Sequence, residues 1–382
     1  MPAKRAATEH PGGLVDLSMG TPVDPVPPIV REALAAASDS PGYPLTAGTP
    51  ALRAAIAEWV VRTCAAPGPA RSGPRSAATR SERAGGPGPP ASEASAASSA
   101  PPEGLGVLPT IGSKELVAWL PTLLGIGAGD TVVIPAVGYP TYEVGVRLAG
   151  ATPVRTDSLT SLGPAPVKLI WVNSPSNPTG QVLPAGHLRK VVDWARERGA
   201  VVASDECYLT LGWETEPVSV LSPEVNGGRL DGVLAVHSLS KRSNLAGYRA
   251  GFVAGDPAIV AELLAVRKHG GTIVPAPVQA AMVAALGDEA HAAAQRAVYG
   301  ARRDLLRAAL VKAGFEIEFS GAGLYLWATR GEDSWSTVDW FAERGILVAP
   351  GAFYGPAGER HVRVALTATD ERVAAAVERL EN

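Results

Sequence analysis

An acid and an amine are the two residues best suited to chemistry in this sequence, and each comes just after a short apolar run. Asp205 follows residues 201–204, and Lys241 follows residues 232–236. Either could be ordinary on its own, because Asp commonly caps helices and Lys is mostly a solvated surface charge. The two lie one strand-helix-strand step apart, so a parallel sheet would carry both at one edge.

Polar, turn-forming segments follow three of the apolar runs, at residues 173–180, 205–208 and 237–241. Each run has the length of a strand that is buried in a sheet. In parallel α/β sheets, ligands collect at the carboxyl ends of such strands. These three segments are therefore the first candidates for a functional site.

Hydroxyl and guanidinium groups cluster around the amine in the sequence. Ser238 and Ser240 precede Lys241, and Arg249 follows it. Charge-assisted hydrogen bonds from these groups suit a multiply charged anion. The segment therefore predicts a phosphate site beside the lysine.

Short apolar runs and helical patterns alternate along most of the chain. The helical pattern at residues 50–61 has Thr49 as a cap and Pro50 in its first turn. Buried strands that alternate with helices predict an α/β fold with a parallel sheet covered on both faces, and the C-terminal strands predict a smaller α+β unit. Strands are expected at residues 131–134, 169–172, 200–203, 232–236, 315–319, 324–328 and 361–365, and further helices at residues 114–124, 185–199 and 280–310.

One segment stands apart by composition. Residues 65–103 are almost entirely Ala, Pro, Gly, Ser and Arg, and such a stretch cannot bury enough apolar surface to offset the entropy of ordering it. We expect a disordered insertion there. The expected organisation is an N-terminal arm with part of the small domain at residues 1–40, a large domain at 41–274 that contains the insertion, and a small C-terminal domain at 275–382.

The overall composition argues against several classes of protein. The 34 basic and 37 acidic residues give a net charge of −3, which gives no reason to expect nucleic acid or an anionic membrane as partner. Two cysteines, Cys64 and Cys207, are too few for a disulfide framework, and no apolar run approaches membrane-spanning length. The six histidines are dispersed without metal-ligand spacing. We expect a cytoplasmic protein with no metal site.

Three motifs together resemble those of the class I/II aminotransferases, the fold-type I enzymes that use pyridoxal 5'-phosphate (PLP). They are SLSKRSNLAGYRAG at residues 238–251, NPTG at residues 177–180 and DECY at residues 205–208. The resemblance runs from about Asp16 to the C-terminus, apart from the insertion. It implies a large domain with a mostly parallel seven-stranded sheet between helices, a smaller α+β domain, and transamination between an amino acid and a 2-oxo acid.

The resemblance also implies a role for each residue around the cofactor ring. Lys241 would form the Schiff base with the PLP aldehyde. Asp205 would pair with the pyridine nitrogen and keep it protonated, which makes the ring an electron sink. Asn177 and Tyr208 would hydrogen-bond the phenolic oxygen, and Tyr139 would stack on the ring, where the family often has Trp or Phe.

The phosphate of the cofactor would lie at the start of a helix. Ser113 and Lys114 begin this helix, and free backbone N–H groups at a helix N-terminus favour an anion. Ser238 and Arg249 would complete the cup. Tyr43 resembles the tyrosine that reaches the phosphate from a neighbouring subunit, which implies a homodimer with shared active sites.

Substrate contacts are expected from both ends of the chain. Gly20 would touch the α-carboxylate, and Arg363 would grip it with a two-pronged ion pair. Residues 116–121, 139–145 and 268–275 look similar to the actinobacterial N-succinyldiaminopimelate aminotransferases of lysine biosynthesis, which use glutamate and 2-oxoglutarate as the other pair. Lys268 is a candidate for the distal, acidic part of such a substrate.

Several alternatives remain open at this point. The same scaffold supports aminotransferases for aspartate, aromatic amino acids or alanine, and also C–S lyases and decarboxylases, so fold alone does not fix the reaction. A regulator that binds PLP would need a DNA-binding domain, and none is visible in the sequence. Residues 125–130 lack the third glycine of a dinucleotide-binding motif, and residues 112–114 lack the upstream glycine of a P-loop.

Overall fold

The computed structural model of the chain describes residues 2–64, 104–163 and 166–381. The insertion expected at residues 65–103 lies outside these ranges. The α-helices are α1 (Pro2–Glu9), α2 (Pro28–Ala36), α3 (Pro50–Cys64), α4 (Gly112–Leu123), α5 (Thr141–Leu148), α6 (Ala185–Glu197), α7 (Pro223–Asn226), α8 (Leu239–Arg242), α9 (Pro257–Gly270), α10 (Ala276–Gly287), α11 (Ala290–Lys312), α12 (Ser334–Glu343) and α13 (Asp370–Glu381). The strands are β1 (Val15–Asp16), β2 (Gly106–Ile111), β3 (Thr131–Ile134), β4 (Thr152–Arg155), β5 (Val167–Asn173), β6 (Val201–Asp205), β7 (Val233–Ser238), β8 (Ala250–Gly255), β9 (Glu316–Glu318), β10 (Tyr325–Thr329), β11 (Ile346–Leu347), β12 (Ala349–Pro350) and β13 (Val362–Ala365).

The central element is a seven-stranded sheet with the strand order β2-β8-β7-β6-β5-β3-β4. Its neighbours from β7 to β4 are parallel, whereas β8 is antiparallel to both β2 and β7. Its central strands are runs of apolar residues because both faces of the sheet are covered. The predicted α/β fold with a mostly parallel seven-stranded sheet is confirmed.

Two layers of helices bury the faces of this sheet. Helices α3, α6 and α10 pack on one face through residues such as Ile56, Val192 and Met282. Helices α4, α5 and α9 cover the other face, where Leu116 and Leu263 are fully buried. The sheet is thereby fixed from both sides, which holds the carboxyl ends of its strands in constant relative positions.

A second core surrounds the four-stranded antiparallel sheet β12-β13-β10-β9. The N-terminal segment joins this core, because β1 pairs in parallel with β11 and Leu17 is buried beside it. Helix α10 packs instead in the core of the large sheet. We therefore propose that the small domain resumes at α11 rather than at residue 275.

The elements differ from the expected ones in a few places. Six strands were not predicted, namely β1, β2, β4, β8, β11 and β12, and residues 280–310 form parts of two helices, α10 and α11, rather than one. The chain turns between them, where the Asp288 carboxylate accepts a hydrogen bond of 2.8 Å from the backbone N–H of Ala290. At Thr49 the prediction holds, since its Oγ1 accepts from the N–H of Leu52 at the start of α3. None of the helices in the described ranges is both long and apolar enough to cross a bilayer.

A buried polar cluster lies between α3 and the sheet, where sequence spacing alone suggested nothing. Cys64 at the end of α3 lies 3.9 Å from His237 Nε2, and the Glu206 carboxylate lies 3.6 Å from the same nitrogen. Their candidate metal-ligand atoms are within 4.8 Å of one another. No described group hydrogen-bonds His237 Nδ1, whereas a metal-bound histidine almost always has a partner there.

Glu206 and His237 are both mostly uncharged in the pH range between about 3 and about 7. Burial raises the pKa of Glu206 to about 7 and lowers the pKa of His237 to about 3. One Glu206 oxygen accepts a hydrogen bond of 2.8 Å from the N–H of Val220. We therefore interpret the cluster as a neutral polar contact that fixes the end of α3 against β6 and β7.

Glu206→Gln should stabilise the protein at pH 8 and change little at pH 5. The folded state keeps a proton on Glu206 up to about pH 7, but the unfolded chain releases it near pH 4.5. The stability that this group contributes is therefore lost as pH rises between those values, and a neutral amide avoids the loss. Thermal unfolding of E206Q and of the parent protein at pH 5 and pH 8 measures this difference in stability. A difference in Tm between the two proteins that is the same at both pH values would contradict the raised pKa of Glu206.

Candidate functional site

A cavity of about 680 Å³ opens at the carboxyl ends of β5, β6 and β7, where the two domains meet. Strand register places these ends side by side, because Asn173 of β5 pairs with Asp205 of β6, which pairs with Val236 of β7. Residues from both domains line the cavity. The predicted site residues among them are Gly20, Ser113, Lys114, Tyr139, Asn177, Asp205, Tyr208, Ser238, Lys241, Arg249 and Arg363.

Asp205 is the last residue of β6, and its carboxylate is buried at the base of the cavity. Tyr142 donates a hydrogen bond of 2.8 Å to one carboxylate oxygen, and the N–H of Cys207 donates to the other at 3.3 Å. Burial raises the pKa of Asp205. No Lys, Arg or His of the described residues forms an ion pair with it. A protonated ring nitrogen would supply the missing positive charge, so this position fits the pyridine of PLP.

Lys241 lies on the short helical turn α8, directly after β7. Ser238 begins this turn, and its Oγ accepts a hydrogen bond of 3.1 Å from the N–H of Ser240. The Lys241 ammonium donates to the carbonyl of Gly20, which belongs to the N-terminal segment. Burial lowers the pKa of Lys241. A lysine with a lowered pKa has a larger neutral fraction, as a nucleophilic amine requires.

An anion cup lies at the start of α4. No side chain caps this helix, so its first N–H groups are available to a ligand. Gly112 has a φ of 68°, and a Cβ there would lie 2.4 Å from an Arg249 guanidinium nitrogen. Glycine suits this positive φ, and its lack of a side chain leaves room for Arg249 against the helix start, where Ser113 also lies. These groups match a phosphate.

Arg363 enters the cavity from β13 of the small domain. Its guanidinium donates to Asn177 Oδ1 at 2.9 Å and to the carbonyl of Ser18 at 2.6 Å. The charge also lies 4.0 Å above the ring of Tyr325. No carboxylate in the described ranges pairs with Arg363. This arrangement suits the binding of a carboxylate from a ligand.

Three further residues support the site, although no sequence pattern assigned them a role there: Tyr142, Tyr325 and Cys207. Tyr142 supports Asp205 while stacking on Trp171 at 5.1 Å. Tyr325 lies with its hydroxyl 3.1 Å from that of Tyr208. The Cys207 thiol donates to Ser113 Oγ at 3.2 Å. Their signal was weak, because the contacts of Tyr142 with Asp205, of Tyr325 with Tyr208 and of Cys207 with Ser113 join residues that are far apart in the chain.

Two candidates lie away from the cavity of their own chain. Tyr43 is fully exposed, at 100% of its accessible area, and does not line the cavity. Lys268 is exposed near the end of α9 and is also not among the lining residues. The single chain therefore does not bring Tyr43 or Lys268 to the cavity.

Comparison with known proteins agrees with this geometry. Residues 103–380 match the family described as aminotransferase class I and II. The chain is 60% identical over 378 residues to the "Probable aminotransferase Rv1178" of Mycobacterium tuberculosis, which covers 99% of this chain and 82% of that protein. It is 54% identical over 380 residues to the "4-dedimethylamino-4-oxo-anhydrotetracycline transaminase OxyQ" of Streptomyces rimosus, with coverage of 100% and 96%.

Solved structures share the fold. A "probable N-succinyldiaminopimelate aminotransferase" from Thermus thermophilus superposes with a TM-score of 0.78 at 30% identity, and covers 100% of this chain and 97% of that one. An aminotransferase from Staphylococcus aureus superposes with a TM-score of 0.81 at 25% identity, with coverage of 97% and 94%. The chain therefore belongs to the class I and II aminotransferases, a family whose enzymes depend on PLP.

Proposed function

We propose that this aminotransferase transfers an amino group between N-succinyl-LL-2,6-diaminopimelate and 2-oxoglutarate, with glutamate as the other amino acid, in the lysine branch of metabolism. We further propose that it works in the cytoplasm as a homodimer. One observation carries the substrate class: besides Lys241, Arg249 and Arg363, a further cation, Lys114, lines the cavity.

The roles proposed for the residues around the ring follow from their positions. Bound PLP supplies an aldehyde that captures amines and a ring that accepts electrons. Asp205 holds the proton on the ring nitrogen, and Tyr208 and Asn177 hydrogen-bond the phenolic oxygen. Lys241 would hold the aldehyde end of the cofactor, and its amine would move the proton at the substrate Cα. Its burial lowers its pKa, which enlarges the neutral fraction that a base requires.

Orientation comes from the groups at the rim of the cavity. Ser113, Ser238 and Arg249 hold the phosphate at the start of α4, and Tyr139 packs on the ring. Arg363 and the backbone at Gly20 fix the substrate α-carboxylate. With both ends held, the Cα–H bond can be kept across the plane of the ring, which is the orientation that proton removal needs.

Lys114 remains available for the distal end of the substrate. Its ammonium lies 5.9 Å from the ring centre of Tyr139, and no carboxylate in the described part of the chain pairs with it. The phosphate cup requires only the backbone N–H of this residue. The side chain can therefore bind the second carboxylate of glutamate, of 2-oxoglutarate or of the succinyl group.

Tyr43 supports the proposed homodimer. A fully exposed tyrosine is followed by an exposed Leu45, at 58% of its accessible area, and exposed aromatic and aliphatic side chains are enriched at interfaces between subunits. In a dimer, Tyr43 would reach the phosphate in the partner's site. Lys268 could likewise reach the partner's substrate.

A second candidate substrate is a polycyclic ketone, by analogy with the oxo-anhydrotetracycline named for the Streptomyces relative. Apolar side chains at the cavity mouth favour it. Met19 and Phe353 line the cavity, and both are exposed, at 62% and 46% of their accessible areas. Phe353 also packs edge-on against Trp335 at 5.3 Å.

A two-substrate panel tests the proposal. With 2-oxoglutarate as acceptor, N-succinyl-LL-2,6-diaminopimelate should give the highest kcat/KM, ahead of aspartate, alanine and phenylalanine, with glutamate release as the readout. No turnover of the succinylated compound together with rapid turnover of another donor would overturn the substrate but leave the aminotransferase assignment intact. Release of pyruvate and ammonia without any acceptor would indicate a lyase instead.

Lys114→Met should raise the KM for 2-oxoglutarate by about three- to tenfold, because a partly exposed ion pair contributes on the order of 1 kcal/mol. The KM for pyruvate, which has no second carboxylate, should stay the same. Steady-state kinetics with both acceptors measures this. The affinity for PLP should not change; an equal loss for both acceptors together with weaker PLP binding would show that the side chain binds the phosphate.

A further inference from the structure

Tyr325 is the first residue of β10 and belongs to the small domain, but its side chain lines the cofactor cavity. It is buried, with 4% of its area accessible. Its hydroxyl packs so closely on the N-terminal segment that a Cβ at Gly20 would lie 2.1 Å away. Tyr325 therefore contacts the segment whose carbonyl at Gly20 accepts from Lys241.

The hydroxyl of Tyr325 lies 3.1 Å from that of Tyr208, with the two rings edge to face. Burial raises the pKa of Tyr208 well above its usual range, so this hydroxyl keeps its proton at neutral pH. A hydroxyl has one proton to donate. If Tyr208 donates it to the phenolic oxygen of PLP, Tyr325 must be the donor in the bond between the two hydroxyls.

The ring of Tyr325 has a second contact on the same face of the small sheet. Tyr325 pairs with Ala365 and Arg363 pairs with Trp327 in the antiparallel register of β10 and β13, so Tyr325 and Arg363 are diagonal neighbours. The guanidinium lies 4.0 Å over the ring centre. A cation held over a buried aromatic face is fixed in place and partly shielded from water.

We propose that Tyr325 is a positioning residue that links the two ends of the site: its hydroxyl directs the proton of Tyr208 towards the cofactor, and its ring holds the guanidinium that binds the substrate carboxylate. This inference rests on the PLP site proposed above. It predicts two separable effects, one on the bound cofactor without substrate and one on substrate binding.

Tyr325→Phe removes only the hydroxyl. A hydrogen bond accepted by Tyr208 makes it a stronger donor, and donation to the phenolic oxygen stabilises the deprotonated form of the bound cofactor. The pH midpoint of the cofactor's visible absorption in the holoenzyme should therefore rise by about 0.3 to 0.7 pH units in Y325F. Spectrophotometric titration without substrate measures it.

Tyr299→Phe is the matched control, because it removes a buried hydroxyl of the small-domain core that bonds Asn244 at 3.4 Å. Tyr299 does not line the cavity, so the midpoint should stay at the parent value. In a Tyr208→Phe background, adding Y325F should shift the midpoint no further. The proposed role of the Tyr325 hydroxyl would be overturned by an unchanged midpoint in Y325F. It would also be overturned if Y325F shifted the midpoint by the same amount in the Y208F background as in the parent.

Tyr325→Leu tests the ring. Loss of the cation–π contact should raise the KM for amino acid and oxo acid by roughly five- to thirtyfold with a smaller effect on kcat, whereas Y325F should keep the parent KM. Equal KM values in Y325F and Y325L would overturn the ring role. A parent protein with no visible cofactor absorption would instead overturn the proposed function, so the two failures are distinguishable.

Discussion

The site depends on a carboxylate buried at the end of a strand without a cationic partner among the described residues. Asp205 closes β6, and burial raises its pKa even though Tyr142 and the backbone of Cys207 donate to it. Burying a charge without a counter-charge is costly. In the proposed function, a protonated ring nitrogen would remove that cost, and the same pairing would make the ring an electron acceptor. On this proposal, the folding constraint and the chemistry rest on one interaction.

The second constraint is that the site is divided between the large sheet and the four-stranded sheet, which belong to the two proposed domains. The large sheet supplies the carboxylate, the lysine and the anion cup, while the small domain supplies Arg363 and Tyr325. The N-terminal segment connects them, since the carbonyl of Ser18 accepts from Arg363 and that of Gly20 accepts from Lys241. At Asp24 the same segment is bound to α11, because the Asp24 carboxylate accepts two hydrogen bonds, at 2.6 and 2.8 Å, from the buried Arg302. A change in the small domain can therefore reach the lysine through backbone contacts.

Sequence reasoning predicted the parts of this protein that follow local rules. Apolar runs gave the central parallel strands, and the polar segments after them gave Asp205 and Lys241 at the correct edge. It missed β2, β4 and β8 of the large sheet. Strand β8 runs directly on from the lysine loop, and its antiparallel direction follows only from the sheet. It also missed Tyr142 and Tyr325, whose roles arise from contacts between residues far apart in the chain, Tyr142 with Asp205 and Tyr325 with Tyr208. The cluster of Cys64, Glu206 and His237 could not be predicted for the same reason. Cys64 ends α3, Glu206 directly follows β6, and His237 lies in β7.

The most direct test of the account is to locate the covalent bond between cofactor and protein. The purified holoenzyme would be treated with borohydride, which fixes an imine between PLP and a lysine, then digested and analysed by peptide mass spectrometry. We predict one cofactor per chain, attached to the peptide that contains Lys241. Attachment to another lysine, or no attachment in a protein that nevertheless transaminates, would contradict the account.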